Sequence, residues 1–113
     1  MLHEKEIFQR RIEELLIDWE RIGARVHAYP WLIASDLEEG YCCNCSKELY
    51  VDSLVFLNVQ DPAMAWCSSC VAKDFNKFKL VTLPEDEVHQ LRTTDMERLL
   101  RHVIIFFEGH ACR

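Results

Sequence analysis

A chain of 113 residues that is 50% hydrophobic and 11% aromatic is too apolar to stay disordered and fits a single domain. Residues 1–40 hold five basic against nine acidic side chains, residues 41–80 four against four, and residues 81–113 four against six, which gives the net charge of −6. That balance lacks the basic footprint that supplies most nucleic-acid affinity, so a protein partner is the better expectation.

The first residues carry Glu4, Lys5, Glu6, Arg10, Arg11, Glu13 and Glu14 with no apolar run between them, so no secretory leader is expected. The longest apolar run, Val103–Phe107, is far short of the roughly 20 residues that cross a bilayer. The chain therefore reads as cytoplasmic, with no membrane and no small-molecule substrate. Residues 3–28 predict one long amphipathic helix. Phe8, Ile12, Leu15, Trp19, Ile22 and Val26 alternate spacings of four and three, and Ile7 and Leu16 widen the stripe. Tyr29-Pro30 would stop it, because proline disfavours helix in the residue before it. A stripe this long has two readings: it packs on its own domain, or Phe8, Ile12, Leu15, Trp19 and Ile22 meet a partner helix or a second copy as a dimer.

Trp31–Ala34 predicts a short strand, and Ser35 to Glu38 a capped helical turn. Gly40 turns the chain toward the cysteines. Leu54–Val59 and Ala63–Trp66, on either side of Asp61-Pro62, predict a hairpin. Val71, Phe75 and Phe78 at i, i+4 and i+7 predict a short helix with one buried side. Residues 80–93 read as a polar link. Thr94-Asp95-Met96-Glu97 is a capping box that would open a C-terminal helix over 94–109. Met96, Leu99, Leu100, Val103, Ile104 and Phe107 line its inner side, which leaves Ile105 and Phe106 pointing away as a second candidate partner surface. The elements sum to an α+β fold in one domain.

The sharpest chemistry lies between the helices. Cys42-Cys43-Asn44-Cys45 and Cys67-Ser68-Ser69-Cys70 are two Cys-x-x-Cys pairs separated by 21 residues. Four thiolates so spaced suit a tetrahedral Zn²⁺, and a site closed by four protein ligands is structural rather than catalytic. Cys42, Cys45, Cys67 and Cys70 are the expected ligands, with Cys43 in place of Cys42 as the alternative. A disulfide or redox role is the competing reading, disfavoured by the paired spacing. The order of elements resembles the treble-clef zinc-finger superfamily over residues 41–79. The resemblance rests on Tyr41-Cys42-Cys43-Asn44-Cys45-Ser46-Lys47 and Trp66-Cys67-Ser68-Ser69-Cys70. It implies a zinc knuckle, a hairpin and a short helix around one ion. Ser46 stands where that superfamily most often has glycine. A zinc ribbon is the alternative, and the helical pattern after Cys70 disfavours it. The superfamily serves DNA binding, protein docking and scaffolding alike, so it selects no function.

Enzyme signatures fail. No His-x-Glu accompanies the second cysteine pair, and there is no phosphate-binding glycine loop, Gly-x-Ser-x-Gly or His-Glu-x-x-His. His102, His110 and Cys112 lack a ligand spacing. Lys73 and Lys77 would share one face of the short helix and could contact phosphate, but Asp74 and the neutral charge of this segment favour a plain solvated face. The expectation is a small zinc protein that acts as an interaction or regulatory adaptor. A nucleic-acid-binding regulator using Lys73 and Lys77 is second.

Overall fold

The computed structural model describes residues 2–17, 26–33 and 40–110. Helix α1 (Leu2–Ile17) is followed by strands β1 (Val26–Leu32), β2 (Leu54–Asn58) and β3 (Ala65–Cys67). Helix α2 (Ser68–Lys73), a 3₁₀ turn (Phe75–Lys77), strand β4 (Phe78–Leu80), and helices α3 (Glu85–Gln90) and α4 (Thr93–His110) complete the order. The described residues form a mixed α+β arrangement of four helices and one four-stranded sheet, ordered β3-β2-β1-β4. β1 and β2, and β2 and β3, pair antiparallel, while β4 joins β1 in parallel. No helix among the described residues is long and apolar enough to cross a membrane.

The long N-terminal helix is corrected. Helix α1 is described only to Ile17, and Val26–Ala28, expected in the same helix, form a strand paired to both neighbours. Trp19 and Ile22 lie outside the described residues, as does the turn expected after Ser35. Proline in the middle of this strand is tolerated for a geometric reason. Val59 N–H donates to the His27 carbonyl and Ile33 N–H to that of Ser53, so the bonds to β2 fall on odd-numbered residues of β1. Pro30 lies between them, with its nitrogen facing the side where β4 has already ended at the Ala28 register. No ladder bond is lost there.

The β2–β3 hairpin forms as the sequence predicts. Asn58 Oδ1 accepts from the Gln60 amide at 2.8 Å and Asp61 Oδ1 from that of Ala63 at 3.2 Å, so both side chains shape the turn. The short helix after Cys70 is interrupted rather than continuous. It ends at Lys73, Phe75 falls in a 3₁₀ turn and Phe78 in β4, although Val71, Phe75 and Phe78 are all buried. The polar link hides α3, whose first turn is Glu85, Asp86 and Glu87 after Pro84.

Helix α4 lies across the sheet and against α1. α1 buries Phe8, Ile12 and Leu16, one residue per turn. α4 buries Met96, Leu99, Val103, Phe106 and Phe107. α4 begins at Thr93, one residue before the expected cap, and Thr93 Oγ1 donates to Glu4 Oε2 of α1 at 2.9 Å. Beside the cysteines, Trp66 meets Phe78 edge-on at 5.2 Å, and Phe106 stacks obliquely on Phe56 at 5.2 Å.

Candidate metal centre

The two cysteine pairs come from different kinds of local structure. Cys42 and Cys45 sit in a tight turn. Cys42 N–H donates to the Lys47 carbonyl at 2.8 Å, and Ser46 N–H donates to the Cys42 carbonyl at 2.9 Å. A bridge between Tyr41 and Glu48 closes the base of the turn, and Cys43 N–H ties it to β3 through the Ala65 carbonyl at 2.9 Å. The chain reverses through Ser46, whose φ of 61° is left-handed. Glycine takes that conformation without a Cβ clash, whereas serine costs roughly 1 kcal/mol. Ser46→Gly is therefore expected to raise stability by a few tenths to about 1 kcal/mol, read as the shift in urea midpoint of the metal-loaded protein. The second pair sits where β3 passes into α2. Cys67 is the last residue of β3, and Cys70 lies in the first turn of the helix.

The four sulfurs converge. Cys42 Sγ is 3.6 Å from Cys70 Sγ, and Cys45 Sγ is 3.8 Å from Cys67 Sγ. All four lie within 4.8 Å of one another. A tetrahedron with Zn–S bonds of about 2.3 Å has edges of about 3.8 Å, so this spacing fits one ion. It does not fit disulfides, whose sulfurs lie about 2.05 Å apart, and the five described cysteines are free thiols. Four cysteines thus form a cluster that could hold a metal ion. Cys42 is buried within it, whereas Cys43 is exposed and outside it. Cys42, not Cys43, completes the set.

Backbone and side-chain amides surround the sulfurs. The Cys67 amide donates to Cys42 Sγ at 3.4 Å, and Asn44 Nδ2 to Cys70 Sγ at 3.5 Å. Burial works against ionising Cys42, but the amides of Cys45, Cys67 and Asn44 outweigh it and bring the thiol down to about 6. At Cys70 the Asn44 amide favours the thiolate, yet burial and the three neighbouring sulfurs push it up to about 12. Burial also raises Cys67. The metal-free cluster accordingly holds a thiolate at Cys42 and keeps the protons on Cys67 and Cys70, because adjacent anions cannot accumulate without a cation. Asn44 is the supporting residue that sequence reasoning missed. Its only signal is a side-chain donor between the cysteines of the first pair.

The other predicted positions are dispersed. Phe8 and Ile12 are interior, Leu15 is partly buried, Phe106 is interior and Ile105 is 59% exposed. Phe106 is thus a core residue and not surface. Lys73 and Lys77 are both exposed but sit on different elements, the last turn of α2 and the 3₁₀ turn, so they share no helix face. His102 is partly buried on α4, and burial followed by the charges of Arg98 and Arg101 lowers its pKa. It lines a cavity of about 330 Å³ between residues 47–54, the start of α2 and α4, whose wall includes exposed Tyr50 and Ile105 and buried Phe106. Compared with protein-family models, curated proteins and solved structures, the chain matches none.

Proposed function

We propose that this chain is a non-enzymatic zinc protein of the treble-clef kind and works as a protein-interaction or regulatory adaptor in the cytoplasm. Zn²⁺ at Cys42, Cys45, Cys67 and Cys70 holds its middle third in shape. The observation that carries this reading is the closed set of four converging sulfurs. Four thiolates saturate the ion and leave no position for a substrate or an activated water. The tight turn at Cys42 and Cys45, the β2–β3 hairpin and the first turn of α2 at Cys70 follow one another along the chain, which supports the treble-clef reading. Free thiols suit a reducing compartment.

The partner surface in this reading is the cavity between residues 47–54 and α4, where Tyr50 and Ile105 are 59% exposed each. Large apolar side chains at the edge of a concavity are typical interaction anchors. The six-residue α2, with Lys73 next to Asp74 and a chain charge of −6, gives the nucleic-acid alternative little to work with. Affinity capture from native lysate tests the proposal with three baits: the wild type, Ile105→Asp and Tyr50→Asp. A partner held by the wild type, and lost both from the variants and after chelation, supports it. Retention on DNA at physiological salt that weakens steeply as salt rises would overturn it.

A further inference from the structure

A second face is built on α1 and the first turns of α4. A groove of about 450 Å³ runs between α1 and α4, lined by apolar Ile7, Phe8, Met96 and Leu100, by Glu4, Arg10, Arg11 and Glu14 on the α1 side and by Glu97 on the α4 side. Within that lining Ile7 is 53% exposed, although its neighbour Phe8 is interior. Glu4 and Arg10 are both exposed; Glu4 accepts one hydrogen bond, from Thr93 Oγ1, and Arg10 makes no ion pair among the described residues.

We infer that this face pairs with a second copy of the chain, two α1 helices crossing antiparallel about a two-fold axis at Ile7. The charge pattern selects that occupant. In an antiparallel crossing centred on residue 7, each residue n faces residue 14 − n of the other copy. Ile7 then meets Ile7, and Glu4 faces Arg10 twice, once on each side of the axis. A self-complementary face of this kind is what an isologous interface requires. Its apolar centre is Ile7 over Phe8, Met96 and Leu100, and its rim is two opposite-charge pairs.

The described part of α1, Leu2–Ile17, has 16 residues and is about 24 Å long. The crossing centres on one largely exposed apolar side chain per copy, Ile7, so the association is expected to be weak, with a Kd on the order of 10–100 µM.

Although dimerisation deepens the adaptor reading by naming one partner, it stands on a different surface, so the two fail separately. Sedimentation equilibrium of the full metal-loaded chain from roughly 1 to 500 µM reads the Kd directly. Ile7→Asp is expected to weaken it at least about tenfold without unfolding the chain, since Ile7 is largely exposed. Arg10→Glu and Glu4→Arg should each weaken it about tenfold, because one reversal places like charges opposite each other at two symmetric positions. The double variant should return to within about threefold of the wild type. A wild-type chain that stays monomeric throughout, or a double variant no better than the singles, would overturn the two-fold crossing. A monomer whose Ile7→Asp variant loses a captured protein would overturn it too, in favour of a partner helix on this face. Ile105→Asp is expected to leave the Kd unchanged, so a defect in capture through the Tyr50 cavity does not count for or against the dimer.

Discussion

Chelation of the purified protein is expected to remove one metal ion per chain and, with it, most of the tertiary structure. Binding by four thiolates is worth roughly 10–16 kcal/mol, against a total stability of about 5–15 kcal/mol for a domain. Cys67 ends β3, and Cys42, Cys67 and Cys70 belong to the same buried cluster as Val55, Phe56 and Phe106. Loss of the ion therefore reaches the sheet and α4 as well as the knuckle. Circular dichroism and hydrogen exchange should show unfolding on chelation and recovery on adding Zn²⁺. Cys42→Ser and Cys70→Ser should behave like the chelated protein. Cys43→Ser should bind and fold as the wild type does, because Cys43 is exposed and outside the cluster. The pH dependence follows from the raised thiols. Cys67 and Cys70 keep their protons in the metal-free cluster at neutral pH, so loading the ion must expel both. Apparent affinity should rise with pH near 7 by at least about two decades per unit, and below the depressed value of Cys42, about 6, one further proton adds to the slope. A metal-free chain that keeps its exchange protection would remove the basis for a structural ion.

The cysteine quartet and the hairpin were legible because both are encoded locally: ligand spacing in one, turn residues between β-rich runs in the other. What misled was periodicity carried past its physical cause. The α1 stripe is real at Phe8 and Ile12, but Val26 continues the spacing only by coincidence, since it is a strand residue facing Phe78 across a parallel pair. A parallel partner some fifty residues downstream leaves no local trace. Pro30 was a correct sign of non-helix and a wrong sign of a chain break, because its tolerance depends on where β4 stops. Phe78 fits a helical spacing while sitting in β4, for the same reason. Helix α3 could have been found: Pro84 followed by Glu85, Asp86 and Glu87 is a helix start with acids in its first turn. Its short length gave too few apolar positions for a period.

Phe106 and Ile105 make the sharpest contrast between face counting and packing. Counting from Leu100 and Ile104 puts both residues on the outer side of α4, yet only Ile105 is there. An inner stripe widens when a helix lies across a sheet and against a second helix, and Phe106 falls on the sheet side. Its ring lies 5.2 Å from that of Phe56, 5.9 Å from Phe75 and 5.3 Å from Phe107. It thereby joins β2, the turn after α2 and α4. Phe106→Ala is expected to cost about 3–5 kcal/mol, the loss of a buried aromatic plus an unfilled cavity. At about 4 °C or more per kcal/mol, the melting temperature should drop by at least about 12 °C. Ile105→Ala, one residue away and largely exposed, should change stability by no more than about 0.5 kcal/mol. Thermal melts of the two metal-loaded variants decide the matter. Equal losses would mean that both side chains are interior, and equal neutrality would mean that α4 does not lie on the sheet through this ring. Because Phe75 lies two residues after α2, Phe106→Ala should also loosen the metal, measurable as faster transfer of Zn²⁺ to a competing chelator. Ile105→Ala should leave that rate unchanged.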